Sequence, residues 1–436
     1  MEKVVERMAN QEEVYWKQRS RNMWLKQGDR NTPYFHAQAS QRRAKNWIRG
    51  LASPQGDYCT GQAEMVDNIT DYFFGIFTSQ NPCWGDIKAV LKCVEPRVDD
   101  EMNEDICRPF TAKEVKKHFL ICTRIRRLDR MECRRYAIKN TGILWEKELL
   151  ERYSIFSMMA GNELWTSIKV LSFMGDDTDN VILGFESIHW IRNHKGSNRG
   201  YAALKLDLSK AYDRVEWVFL RAIMRKLGFA EKWVDLNMRC VQTVSYSFSL
   251  NQEVVGRVIP GRGLRQGDPL SPYLFVLCAQ GLSSLISSSV SQGVIHGVRL
   301  APRCPIISHL FFAEESLIFC HASESDCEKI AALLKIYEKA MRQLINFEKS
   351  ALTVSPNTQQ VIVDKFKNVF KVPVVQGHEI YLGLPTFTMR NKKLQFGYLK
   401  ERMLKKIAGW SGKMFTDGGK EILIKSVLQA IPTYVM

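Results

Sequence analysis

Apolar and polar positions change rhythm several times along this chain, and each change predicts an element. Residues 60–76 place Met65, Ile69, Tyr72, Phe73 and Ile76 at helical spacing, which predicts a helix with a packing face. Residues 179–194, DNVILGFESIHWIRNH, repeat the helical rhythm, and KGSNRG at 195–200 ends it with Gly and Asn turn chemistry. Ala203 to Leu208 alternate as a strand. A helix follows on Val215, Val218, Phe219, Ala222, Ile223 and Leu227, with Gly228 as its stop. Segments 241–250 and 253–260 read as strands around Asn251-Gln252. GRGLRQGDPLSPYLFVLCAQGLSSLI then predicts a Gly/Pro-rich loop opening a long helix. A hairpin at 309–320, a helix at about 324–344 and a basic helical tail from about 392 complete the pattern. Residues 122–178 have no clean period, and CTRIRRLDRMECRRYAIK within them is dense in arginine.

The hairpin raises a chemical question. HLFFAEESLIFC interrupts two short apolar runs with Glu314 and Glu315. Glutamate lacks the short side chain with which Asp or Asn favours a turn. The pair is either a solvated hairpin tip or a pair of metal ligands held at the end of a buried hairpin.

Composition narrows the class. Apolar residues are 45% and charged residues 25% of 436, ordinary for a globular chain, but the net charge of +16 predicts attraction to a polyanion such as nucleic acid. Residues 1–50 carry eleven Lys/Arg against five Asp/Glu, with Trp16, Trp24, Tyr34, Phe35 and Trp47 interleaved. That mixture suits either a nucleic-acid arm or an amphipathic surface whose aromatics enter a core. The eleven cysteines include no C-x-x-C pair and the eight histidines no H-E-x-x-H, which argues against a disulfide frame or a zinc enzyme. The N-terminus lacks the apolar core of a signal peptide, and Pro272 and Gln280 break the longest apolar stretch. The expectation is a soluble, intracellular protein, nuclear or cytoplasmic, with no membrane partner.

Asp207 falls at the C-terminal end of the predicted strand. With Glu314 and Glu315 it offers three carboxylates on adjacent strands, a donor set able to hold two Mg²⁺ ions. Two such ions clamp the attacking and leaving oxygens of an in-line displacement. A basic chain, this cluster and a Gly/Gln loop together point to nucleotidyl transfer.

In this order the segments resemble the reverse transcriptase of plant non-LTR (LINE-type) retrotransposons. LKLDLSKAYDRVEW resembles motif A, GLRQGDPLSPYLF motif B, ISHLFFAEESLIF motif C, INFEKS motif D and YLGLPT the motif E hairpin. The resemblance covers most of the chain. It implies an α+β right-hand polymerase with an antiparallel palm sheet, incomplete fingers and a helical thumb. The implied division is a basic arm and linker over 1–110, degenerate fingers over 111–200, a palm over 201–385 and a basic helical tail over 386–436. The implied partners are an RNA template, a DNA primer and deoxynucleoside triphosphates, with Mg²⁺, or alternatively Mn²⁺, as cofactor.

By position, the resemblance makes Asp207, Glu314 and Glu315 metal ligands and Lys349 a catalytic group at the leaving pyrophosphate. Tyr212 would sense the sugar 2′ position, against a simpler reading as core packing at a helix start. Asp213 would fall in the first helical turn. Arg265, Gln266 and Gly267 would lie along the nucleotide, and Tyr381, Leu382 and Gly383 would grip the primer. Two departures qualify the activity. The family shows Phe-Ala-Asp-Asp at motif C where this chain has Phe-Ala-Glu-Glu, and its fingers blocks K-A-P-G-P-D-G and R-P-I-S have no counterpart between about 122 and 178. The resemblance implies an endonuclease ahead of the polymerase in intact elements, and the expectation here is that it is absent. The expectation is a degenerate or truncated copy with impaired RNA-directed DNA polymerase activity. The rivals are a catalytically inactive nucleic-acid-binding remnant and a product without function.

Overall fold

The structure is a computed structural model that describes residues 40–41, 43–52, 56, 58–108, 177–196, 199–251, 253–268, 270–312, 315–375, 380–381, 384–385, 396–408, 417–429 and 431. Residues 1–39 of the expected arm, most of the expected fingers, and Glu314, Leu382 and Gly383 lie outside these residues. The chain divides into two units, Met1–Thr78 with Thr243–Gly261, and Ser79–Gln242 with Arg262–Met436.

In the smaller unit the helix predicted over 60–76 runs Gln62–Phe77. Its packing partner is the antiparallel hairpin Tyr246–Leu250 and Glu253–Val258. Phe73 stacks on Phe248 at 4.5 Å and Phe77 on Tyr246 at 4.7 Å, around buried Ile76 and Val258. Tyr72, expected on the packing face, is exposed instead. Of the arm's aromatics named above, Trp47 is described; it is exposed, with the Arg43 guanidinium 5.7 Å from its ring centre.

The larger unit is built on one antiparallel sheet. Helices α1 (Trp84–Leu91), α2 (Asp100–Cys107) and α3 (Asp177–Asn193) precede strand β1 (Tyr201–Ser209), which is longer at both ends than the predicted strand. Helix α4 (Trp217–Leu227) follows, and Gly228 closes it at φ +97°, where an added Cβ would meet the Val98 carbonyl oxygen at 2.6 Å. Helix α5 (Glu231–Gln242) claims residues expected to be strand, because Cys240 and Val241 continue its buried face. Helix α6 (Ser271–Ser291) leads to β2 (His309–Phe312) and β3 (Glu315–His321). Helix α7 (Glu324–Met341) stops short of residue 344, which begins strand β4 (Leu344–Ile345). Strand β5 (Ala351–Val354) and helix α8 (Gln360–Phe370) follow. The basic tail is helical over Gly397–Ala408 and Asp417–Leu423.

The strand order is β2-β3-β1, and the free edge of β1 is shared by two short strands. Strand β5 pairs with Ala202–Lys205, and β4 with Leu208–Ser209. Side chains alternate across a sheet, so even-numbered Leu204 and Leu206 enter the main core with α4–α7, while Ala203, Leu317 and Phe319 pack with Ile188 and Ile191 of α3. The result is an α+β unit. Helix α6 has the length and composition of a membrane span, yet 72% of its most apolar window is buried in the protein, as in a core helix.

Candidate functional site

Asp207 stands where β1 passes from β5 to β4. Its N–H donates to Ser350 Oγ at 3.2 Å, and its carbonyl accepts from Asn346 N–H at 2.8 Å. Between the two short strands, residues 346–350 leave the sheet as a turn. Ser350 Oγ closes that turn by donating to the Asn346 carbonyl at 2.7 Å. The break in the edge therefore carries Lys349 to Asp207: Lys349 Nζ is 4.0 Å from Asp207 Oδ2. The lysine is 69% exposed and the aspartate 11%, so the cation approaches a nearly buried carboxylate from solvent.

Across β1, Asp207 is in register with Glu315. Directly opposed residues have Cβ atoms about 4.5–5.5 Å apart on one face, so both carboxylates share the α3 side of the sheet. Glu315 is the first residue of β3, paired with Phe312, and not part of the tip as the sequence suggested. Ala313 and Glu314 lie outside the described residues. Glu315 also has a partner that the sequence reading missed: Lys205 Nζ is 3.3 Å from Oε1, diagonally across the strands. Both side chains are largely buried, so this pair is less screened than a surface one.

The motif A turn and the glycine loop are joined by backbone. Leu264 N–H donates to the Tyr212 carbonyl and Gly263 N–H to the Val215 carbonyl, each at 2.8 Å. Gly263 has φ +96°, and a Cβ there would stand 2.7 Å from the Asp213 carbonyl oxygen, so only glycine fits this approach. The Tyr212 ring stacks on Phe275 of α6 at 4.8 Å and is half-buried against the core, which supplies the packing role. Asp213 precedes α4 by several residues, because that helix starts at Trp217; the expected first-turn position is corrected. Burial raises the Asp213 carboxyl above the usual carboxylate range, and the nearby Lys210 and Arg214 oppose this.

Beneath the loop lies a charge pair that sequence reading also missed. Arg262 Nη1 is 3.3 Å from Glu216 Oε1, with the two side chains 1% and 0% exposed. Glu216 additionally accepts from Ser79 Oγ at 2.6 Å and Gln80 N–H at 3.0 Å. Trp217 Nε1 donates to the Gly263 carbonyl at 2.8 Å. Arg265 is half-buried, and Gln266 and Gly267 are exposed, with Gly267 at φ +81°. In the motif E segment the backbone of Ile380–Tyr381 pairs with Leu384–Pro385, a hairpin as expected. Among the described residues the structure gathers Asp207, Glu315 and Lys349.

The donor set around Asp207 consists of carboxylate oxygens, which suits hard divalent cations such as Mg²⁺. The position of Asp207 at the end of a central strand, opposite a second acid, is a place for chemistry on a rigid frame.

These features define a polymerase-type palm, and comparison with known proteins gives the family. The profile described as reverse transcriptase (RNA-dependent DNA polymerase) matches residues 164–399, more than half of the chain. The chain belongs to that family and carries a reverse transcriptase domain. Reverse transcriptases as a family use divalent metal ions, a nucleic-acid template and nucleotide substrates. Retrotransposon proteins are among its relatives. It is 26% identical over 171 residues to the Retrovirus-related Pol polyprotein from type-1 retrotransposable element R2 of Popillia japonica, covering 38% of this chain and 27% of that protein. It is 21% identical over 254 residues to the Transposon TX1 uncharacterized 149 kDa protein of Xenopus laevis, covering 57% of this chain and 18% of that one. A third relative, an uncharacterized mitochondrial protein of Arabidopsis thaliana, is 49% identical over 69 residues, covering 16% of this chain and 57% of its own. The chain thus spans less than two thirds of each of these relatives.

Proposed function

We propose that this chain is a degenerate plant non-LTR reverse transcriptase that performs impaired RNA-directed DNA polymerisation on an RNA template from a DNA primer. The observation that carries the reading is the cross-strand register of Asp207 with Glu315, with Lys349 Nζ at 4.0 Å from Asp207. Asp207, Glu314 and Glu315 would hold Mg²⁺ or Mn²⁺, and the bound ions would supply charge neutralisation as a 3′-hydroxyl displaces pyrophosphate. Lys349 stands beside the Asp207 carboxylate, where it can stabilise the departing pyrophosphate. The half-buried Tyr212, braced by Phe275, presents its ring to the sugar and excludes a 2′-hydroxyl. Arg265, Gln266 and Gly267 lie along the nucleotide, and Tyr381, Leu382 and Gly383 grip the primer. The arm over 1–110, with Arg43 and Trp47 exposed, and the tail over 386–436 add nucleic-acid contacts, and 111–200 is a reduced fingers region. The setting is intracellular and soluble, in nucleus or cytoplasm.

Primer extension on an RNA template, with Mg²⁺ and separately with Mn²⁺, tests this reading. Slow synthesis that disappears in Asp207→Asn is expected; synthesis unaffected by that substitution overturns it. The second reading, a catalytically inactive nucleic-acid-binding remnant, is favoured by the Lys205–Glu315 ion pair, which neutralises one of the acids in place. Salt-sensitive binding with no synthesis by the parent under either metal would select it.

A further inference from the structure

We propose that His296, His321 and Asp326 form a binding site for a divalent transition-metal ion of the zinc class, separate from the acids around Asp207. Each residue offers a ligand atom, and these atoms all lie within 4.8 Å of one another. Asp326 is the anchor. It is 1% exposed at the start of α7, where Ser323 Oγ accepts its N–H at 3.1 Å. Its Oδ2 accepts the backbone N–H of His296 at 3.0 Å and of His321 at 3.2 Å. Those bonds fix the carboxylate and leave Oδ1 turned to His296 Nδ1, 3.1 Å away. A carboxylate held from behind in this way is the arrangement that orients metal ligands.

The two imidazoles lie parallel, 4.8 Å apart with 8° between their planes. His321 is held edge-on to Tyr201 at 5.1 Å, and among the described residues no hydrogen bond is made by its ring nitrogens. A tetrahedral zinc ion with bonds of about 2.0–2.1 Å spaces its donors about 3.3 Å apart. The His296–Asp326 edge already has that length. The longest edge must shorten by roughly 1.5 Å to meet the same spacing, and the His296 side chain, 52% exposed, is free to swing. Two imidazoles and one carboxylate, with a fourth position open to water, suit zinc, cobalt or nickel rather than Mg²⁺, which prefers oxygen. Arg199 adds positive charge near His321, and the buried Asp326 carboxylate offsets it. His321 ends β3 and Glu315 begins it. Six residues of strand place the two about 20 Å apart, so the sites act independently. A bound ion would tie the connection after α6 to the end of β3 and the start of α7, bracing the far end of the hairpin that carries Glu315.

The test is titration of the full chain with Co²⁺, followed by visible absorption and by equilibrium dialysis with excess Mg²⁺ present. The parent and Asp207→Asn should both bind one equivalent in a tetrahedral spectrum that Zn²⁺ abolishes. His321→Phe keeps the ring against Tyr201 and removes the nitrogens. His296→Asn changes an exposed side chain and serves if the first variant folds poorly by circular dichroism. Each should weaken that equivalent by at least about tenfold, the scale on which even residues behind the ligands matter. Equal Co²⁺ binding by the parent and His296→Asn, or displacement of Co²⁺ by Mg²⁺, overturns the proposal. Loss of the signal in Asp207→Asn alone would assign the ion to the polymerase acids and overturn it as well.

Discussion

Replacing Arg262 by Met would keep an unbranched apolar stem and remove the guanidinium from beneath the glycine loop. Glu216 is fully buried and Arg262 nearly so, so the loss leaves a carboxylate whose donors among the described residues are Ser79 and Gln80. Breaking a buried pair by removing one partner costs about 3–5 kcal/mol, whereas an exposed pair contributes about 0–1 kcal/mol. With a urea slope near 3 kcal/mol per M, suitable for a large chain, the unfolding midpoint should fall by roughly 1–2 M. The readout is tryptophan fluorescence, since Trp217 and buried Trp233 lie in the same unit. Glu216→Gln should also lower the midpoint, because it removes the carboxylate that faces a buried guanidinium. The double variant Arg262→Met with Glu216→Gln removes both charges, so its loss should be smaller than the sum by about 2 kcal/mol or more. A single-variant midpoint within about 0.3 M of the parent, or strictly additive losses, would refute the reasoning and class the pair with surface bridges.

Three further outcomes follow from the same geometry. Glu314→Asp with Glu315→Asp shortens two carboxylates and withdraws the second from Lys205; if chain length costs about a hundredfold, synthesis should recover by roughly 3 kcal/mol of barrier, and no gain in primer extension under either metal would make the fingers region the sole lesion. Tyr212→Ala should admit ribonucleotides in the same assay, and unchanged sugar discrimination would return Tyr212 to packing against Phe275 alone. His309 is fully buried between Ser283 and Ser308, and burial lowers its imidazole pKa to about 4 from 6.5. A depressed histidine favours folding fully above pH 6.5 and loses that contribution as pH falls towards 4, because the unfolded chain takes up the proton first. Chemical denaturation should therefore show up to about 3 kcal/mol of stability lost over that window, with a flatter profile in His309→Asn; parallel profiles would exclude the histidine as the cause.

Local features were legible in the sequence because local patterns produce them. Alternation marked β1 and placed Asp207 near its end, and Gly228 marked the end of α4 through the left-handed conformation it adopts there. The order of motifs pointed to the acids on adjacent strands. Pairings between distant residues left no such trace. Glu216 and Arg262 are 46 positions apart, and an arginine beside glycines reads as an exposed loop cation until the backbone brings it inward. Lys205 lies opposite Leu317 in the ladder and reaches Glu315 diagonally, which requires the register to be known. The strand predicted over 241–250 starts only at Tyr246, for another reason: Cys240 and Val241 are the end of a helical stripe whose earlier members are Trp233, Val234, Asn237 and Met238. Even the missed Asp326 cluster had no sequence spacing to reveal it, since its members come from a loop, a strand end and a helix start.

The interrupted edge of β1 also has a use in measurement. Most amides of a central strand are held by ladder carbonyls and exchange with solvent only when the sheet opens. The Asp207 amide is held by the Ser350 hydroxyl, which belongs to the turn that carries Lys349. Its deuterium uptake therefore reports opening of the Asp207–Ser350 bond, while the amides of Leu204 and Leu206 report the sheet. One strand therefore contains both a probe of the turn that carries Lys349 and a reference for the sheet, and the two can be compared without a substrate.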